Sequence, residues 1–94
     1  MICEYVEIQV RPGVDGELES SFVEIRALLL AAPGCSDATL SRSVDRERTH
    51  ILRVMWNRLE DHTEVFSASV AGSRVRELIQ PLCAIPPRVT HYEC

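Results

Sequence analysis

The stretch that decides the fold is His50-Ile51-Leu52-Arg53-Val54-Met55-Trp56. Side chains of a β-strand alternate between its two faces, so the even-numbered residues of this stretch share one side and the odd-numbered residues share the other. Both sides are largely apolar. A strand with one buried face alternates cleanly with polar residues, so this pattern predicts a strand covered on one face by helices and on the other by a second copy of the chain.

Length and charge restrict the class of the protein. The chain has 94 residues, which predicts a single domain over residues 1–94, near the size at which burial only just outweighs chain entropy. Ten Lys and Arg against 14 Asp and Glu give a net charge of −4, so no basic surface is available for nucleic acid or anionic lipid. A small neutral or cationic ligand is easier to reconcile with this balance.

The beginning of the chain and its apolar runs predict the compartment. No basic stretch followed by a long apolar stretch opens the sequence, and no apolar run approaches membrane-spanning length. We therefore expect a cytoplasmic protein with no membrane partner and no nucleic-acid partner. The four cysteines contain no C-x-x-C pair, so we expect neither a zinc knuckle nor a redox motif but reduced thiols, with an oxidation-prone Cys94 as the alternative.

Periodicity divides the chain into six elements. Strands are predicted at residues 2–10, 36–44, 50–56 and 88–93. A first helix is predicted at residues 15–32, where Leu18, Phe22, Ile25 and Leu29 recur at spacings of three and four. Asn57 followed by Glu60 matches a capping box, so a second helix is predicted from Asn57 to about Leu82, with a kink or break at Gly72-Ser73.

The resulting order, strand-helix-strand-strand-helix-strand, predicts the split βαβ arrangement called ferredoxin-like. Two helices cover only one face of a four-stranded sheet, and Ile51 and Met55 lie on the other face. We therefore expect a homodimer through the sheet faces, with Arg53 paired to a carboxylate across the interface.

Several short motifs, in this order along nearly the whole chain, resemble the antibiotic biosynthesis monooxygenase domain of the dimeric α+β barrel superfamily. They are Arg11-Pro12-Gly13, Ala32-Pro33-Gly34-Cys35, Val54-Met55-Trp56, Leu59-Glu60-Asp61-His62, Pro81-Leu82 and the segment from Pro86 to Glu93. The resemblance implies a cavity between sheet and helices in each protomer. Some members oxidise polycyclic phenols or anthrones to quinones with O2 and no flavin, haem or metal, and others degrade haem.

The first of these chemistries needs only a base, a donor that steadies negative charge, and a dry pocket, because a deprotonated electron-rich substrate can itself reduce O2. The candidate bases are His62 and His50, with His91 ranked after them. Trp56, Phe66 and Phe22 are the candidate substrate-pocket residues. Since His50 and Trp56 share a strand face and His62 follows a tight turn, we expect these three residues to line one ligand cavity.

Alternatives remain open at this point. His62 could be a surface residue at a helix start, His50 a core residue and Trp56 a core or pocket-wall residue. Haem-degrading relatives carry an asparagine on the first strand and a histidine later in the second helix, so haem degradation is disfavoured here. No Gly-rich phosphate loop and no metal-spaced cluster occurs, so we expect no cofactor and no metal. A polyketide cyclase, a ligand-binding dimer without turnover, and a structural dimer with a closed pocket are the other interpretations.

Overall fold

The computed structural model describes residues 1–94 and contains one four-stranded antiparallel sheet with helices packed on one face. The elements are β1 (Ile2–Gln9), α1 (Asp15–Leu30), β2 (Cys35–Arg42), β3 (Thr49–Trp56), a π-helix (Asp61–Phe66), α2 (Val70–Ile79), a 3-10 turn (Gln80–Leu82) and β4 (Arg88–Glu93). The sheet order is β2-β3-β1-β4, which confirms the predicted ferredoxin-like α+β arrangement.

The core lies between the helices and one face of the sheet. On β1 and β3 this face is formed by the even-numbered residues, and on α1 the buried residues are Leu18, Ile25 and Leu29. Phe22 of the same helix is only partly buried against the core. Ile8, Val54 and Trp56 are at most 1% exposed, so the predicted alternation on these central strands is confirmed.

The segment after β3 differs from the prediction of one long helix. The side chain of Asn57 caps nothing; instead its backbone N–H donates to the Gly34 carbonyl oxygen at 2.8 Å. The chain forms a π-helix, leaves it at Ser67, and starts α2 with the Ser69 hydroxyl accepting from the Gly72 N–H at 3.0 Å. The break therefore precedes Gly72 rather than falling on it.

Two glycines make this arrangement possible. A Cβ on Gly72 would overlap the carbonyl group of Phe66, so only glycine lets α2 start this close to the end of the π-helix. Gly34 has φ +83°, and a Cβ there would overlap the side chain of Asp61. Asp61 is buried and accepts from the Arg58 N–H at 3.1 Å, so it sets the start of the π-helix.

The outer face of the sheet carries the odd-numbered residues of β3 and is only half covered within one chain. Ile51, Arg53 and Met55 are partly exposed. The guanidinium of Arg53 forms no ion pair within the chain and donates to Met55 Sδ at 3.0 Å. This face is therefore apolar at its centre and holds a cation with no carboxylate partner of its own.

A disulfide joins Cys3 on this outer face to Cys94, with the two Cα atoms 5.9 Å apart. The expectation of reduced thiols is therefore wrong for this pair, because the antiparallel pairing of β1 with β4 brings the two ends of the sequence side by side. Cys35 and Cys83 are free thiols. No helix combines the length and the hydrophobicity needed to cross a membrane.

Candidate active site

Trp56 and Glu4 form the buried centre of a polar cluster on the helix-covered face of the sheet. Trp56 ends β3 and is 0% exposed, and Glu4 on the neighbouring strand β1 is 5% exposed. The indole N–H of Trp56 donates to Glu4 Oε1 at 2.9 Å. A carboxylate this deep in a core is uncommon and requires partners, so its hydrogen bonds define the site.

His62 lies over this pair from the π-helix. Its ring stacks on the indole of Trp56, with centroids 5.5 Å apart, and its Nε2 lies 3.3 Å from Glu4 Oε2. Its Nδ1 lies 2.8 Å from Nε2 of His91 on β4. Single π-helical turns are rare and concentrate at functional sites, because the wider turn re-aims the side chains it carries.

The four residues Glu4, Trp56, His62 and His91 are called the buried cluster below. They come from four different elements, and register explains their meeting: Glu4 is the Cα partner of Val54 on one side and of His91 on the other. The members bond to one another instead of converging on a shared point, and no group of three or more His, Cys, Asp or Glu side chains is arranged to hold a metal ion.

Burial sets the charges in this cluster. Desolvation, together with the nearby His91, lowers the pKa of His62 from 6.5 to about 4, so its imidazole is neutral at physiological pH. Desolvation raises the pKa of Glu4, and the hydrogen bond from Trp56 offsets part of that rise. A neutral imidazole beside a carboxyl group with raised pKa is suited to accepting and passing on protons.

Three of the sequence candidates come together and two lie elsewhere. His62 and Phe66 both pack against Trp56, each with its ring centroid 5.5 Å from that of the indole. Phe22 packs against the core from α1. His50 lies six residues before Trp56, which is about 20 Å along an extended strand, so it does not share a cavity with Trp56 and His62.

His50 has its own unusual environment. It is 1% exposed, and neither ring nitrogen has a hydrogen-bond partner. The nearest charged atom is Glu19 Oε1, 3.7 Å from His50 Nε2. A catalytic role for His50 stays a prediction, and its setting is that of a core side chain near the opposite end of the sheet.

The main pockets avoid the buried cluster. An open groove of about 610 Å³ lies on the outer face of the sheet, lined among others by Tyr5, Ile51, Thr90 and Tyr92. Two other pockets lie at the β2–β3 loop and beside Pro86 and Pro87. Neither Trp56 nor His62 lines any of these three pockets.

Sequence reasoning missed Glu4 and ranked His91 too low for this cluster. A signal for Glu4 was present, since it occupies the same strand face as Val6 and Ile8, where a charged residue is out of place. No comparable signal marks His91. Its position became evident only once β4 was placed beside β1.

Acid should destabilise the protein through His62. Its folded-state pKa lies below 6.5, so its stabilising contribution is complete above that pH and is lost as the pH falls towards about 4. Glu4 acts in the opposite sense, because its raised pKa gives stability that is present below 4.5 and lost at higher pH. In urea titrations, the free energy of unfolding should fall by about 1 kcal/mol less in His62→Gln than in the wild type between about pH 7 and about pH 5. An equal loss in both proteins would contradict this assignment.

The sequence profile of the antibiotic biosynthesis monooxygenase family matches residues 1–71. The chain belongs to this family. Its fold and its monooxygenase-like class follow from that membership. A candidate antibiotic biosynthesis monooxygenase from Bordetella bronchiseptica has a crystal structure with a TM-score of 0.94 to this chain and 30% identity, covering 99% of this chain and 95% of the other.

Two further relatives extend the comparison. The chain is 26% identical over 93 residues to the uncharacterised protein YczJ of Bacillus subtilis, covering 99% of this chain and 98% of YczJ. SnoaB of Streptomyces nogalater, a cofactor-independent oxygenase whose crystal structure is that of a point mutant, aligns with a TM-score of 0.83 and 17% identity, covering 99% of this chain and 91% of SnoaB. At that identity SnoaB supports the fold alone.

Proposed function

We propose that this chain is a cofactor-independent monooxygenase that oxidises an aromatic, polyketide-like small molecule to a quinone. The observation that carries the proposal is the neutral imidazole of His62, stacked 5.5 Å from Trp56 and linked to Glu4 and His91. The His62–His91 pair supplies the base. Trp56 and Phe66 supply the apolar aromatic surface beside this pair.

The chemistry needs no group beyond the substrate and O2. Removal of a proton from an anthrone or hydroquinone produces an electron-rich anion, which transfers electrons to O2. For an anthrone, the CH2 carbon becomes a carbonyl: one oxygen atom enters the product and the other leaves as water. A base in a water-poor site accelerates the first step, and the dry surroundings of Trp56 meet that requirement.

A ligand-binding dimer without turnover, or a non-oxidative relative such as a polyketide cyclase, is the second candidate. The observation that favours it is the groove of about 610 Å³ on the outer face of the sheet, away from the buried cluster. Two such grooves would face each other inside a dimeric barrel. A ligand held there would meet Tyr5 and Tyr92 rather than His62.

Oxygen uptake separates the two candidates. The protein, treated with chelator and freed of flavin, is supplied with a panel of anthrones and hydroquinones in an oxygen electrode. The monooxygenase proposal expects uptake of one O2 per anthrone consumed, with the quinone as product. Binding of the same compounds, seen as quenching of Trp56 fluorescence or of tyrosine fluorescence, with no uptake above the protein-free rate, would instead support the second candidate.

We also propose that the chain works as a homodimer through the outer face of the sheet. The partly exposed Ile51 and Met55 and the cation of Arg53, which has no carboxylate within its own chain, support this arrangement. Ile51→Glu should convert the dimer to monomer or aggregate, because it would bury an unpaired charge. Val44→Glu, at a fully exposed loop position, is the matched control and should stay dimeric. A monodisperse wild-type monomer in light scattering would overturn the proposal.

A further inference from the structure

His62 has no free nitrogen with which to meet a substrate. Its Nε2 faces Glu4 Oε2 at 3.3 Å and its Nδ1 faces His91 Nε2 at 2.8 Å. A neutral imidazole has one donor and one acceptor nitrogen, so both are engaged. His91 is different: its Nε2 is bonded to His62, whereas its Nδ1 makes no hydrogen bond within the chain.

His91 is also the accessible end of the buried cluster. It lies on β4, the edge strand of the sheet, and is only partly buried, whereas Glu4 is 5% exposed. Glu4 and His91 are cross-strand partners, so their Cα atoms are held opposite each other by the sheet. His62 bridges the two side chains from the π-helix above them. The three residues thus form a line from the sheet edge to the interior.

We infer that Glu4, His62 and His91 are a proton relay, in which His91 Nδ1 takes the proton from the substrate and the Glu4 carboxylate is its final acceptor. This inference rests on the proposed monooxygenase function and deepens it. His91 becomes the catalytic residue that touches the substrate. His62 and Glu4 become the residues through which it acts.

The proton steps balance. Before reaction Glu4 is ionised, His62 carries its proton on Nε2, and His91 carries its proton on Nε2. The substrate O–H or C–H bond breaks as an N–H bond forms at His91 Nδ1. The His91 Nε2 proton moves to His62 Nδ1, and the His62 Nε2 proton moves to Glu4. One proton has left the substrate, its electron pair stays on the substrate anion, and both imidazoles are neutral again.

The surroundings favour a final state in which His62 is neutral and Glu4 holds the proton. Burial opposes a lasting positive charge on His62, whose pKa of about 4 keeps it neutral, so the proton is better held by Glu4, whose pKa is raised. The indole N–H of Trp56 bonds Glu4 at Oε1 and leaves Oε2 for the proton. Among the other ionisable groups, burial raises the pKa of the Cys35 thiol, and the charge of Glu4 raises it further. The neutral thiol adds no competing charge.

The relay predicts a coupled change of tautomer that needs no substrate. Nitrogen-15 NMR of the imidazole rings distinguishes an Nδ1 proton from an Nε2 proton. In the wild type, lowering the pH until Glu4 takes up a proton should move the protons of both His62 and His91 from Nε2 to Nδ1 in one coupled step. Glu4→Gln should abolish the change. Glu7→Gln, on the other face of the same strand, should titrate as the wild type does.

Two results would overturn the relay. One is a wild-type titration in which either histidine keeps a single tautomer throughout, which needs no variant to fold. The other is full oxygen uptake by His91→Gln with a substrate that the wild type oxidises, where a fall of about 10²–10⁴-fold is expected. A wild type that switches tautomer without any oxygen uptake would instead count against the proposed oxidation and leave the proton path supported.

Discussion

Replacing His62 with glutamine should lower the rate of substrate oxidation by about 10²–10⁴-fold while the protein stays folded. Glutamine fills a similar volume and still bonds Glu4 or His91, but it cannot accept a proton and pass one on. The measurement is the initial rate of oxygen uptake, with circular dichroism to verify the fold. A loss in the maximal rate, more than in the apparent affinity for substrate, is expected because the change affects proton transfer.

Two parallel variants make this result interpretable. Glu64→Gln, at an exposed position of the same π-helix, removes a charge nearby without touching the buried cluster and should retain the wild-type rate. His50→Gln tests the other histidine that the sequence offered as a base. Full activity in His62→Gln together with a large loss in His50→Gln would contradict the assignment and move the base to the end of the sheet near Glu19.

Substituting Gly34 with alanine should lower the free energy of unfolding by about 2–4 kcal/mol. Two costs add at this position. The backbone has φ +83°, and the new Cβ would overlap Asp61, whose side chain holds the start of the π-helix. His62 follows Asp61 directly, so the variant should also lose oxygen uptake at temperatures where it remains folded.

The other glycines separate these two costs in urea titrations. Gly13 has φ +85° but open space around its Cβ position, so Gly13→Ala should lose only about 1–2 kcal/mol. Gly16 lies in α1 with open space and an ordinary backbone, so Gly16→Ala should be neutral or stabilising by up to about 1 kcal/mol. Equal losses of unfolding free energy at Gly13, Gly16 and Gly34 would show that overlap with Asp61 adds no cost at Gly34.

The parts of the site that could be predicted are those that depend on neighbours in sequence. Alternation along β3 places Trp56 on the helix-covered face, and a spacing of four residues places His62 and Phe66 on one side of the following helical segment. Both His62 and Phe66 do pack against Trp56. The prediction that His50 joins them was wrong, because sharing a strand face says nothing about distance along the strand.

The helical segment itself was predicted in the wrong form. Asn57 and Glu60 have capping-box spacing, yet no side chain caps the π-helix, Asp61 accepts from the Arg58 N–H, and Ser69 caps α2. The competing contacts are tertiary. The Asp61 side chain packs directly against Gly34, and Gly72 lets α2 approach the Phe66 carbonyl. Packing between segments distant in the chain therefore overrides the local motif.

The amino-acid order alone was enough to establish the element order, the ferredoxin-like class and a central strand with two apolar faces, because hydrophobic periodicity is a local property that one pass along the chain reveals. Three features needed the folded chain: the meeting of Glu4 with His91, the disulfide between residues 91 positions apart, and the free nitrogen of His91. Each depends on the register of β1 against β4. Register is a long-range pairing in which a shift of one residue exchanges the two faces of the strand, so no local pattern contains it.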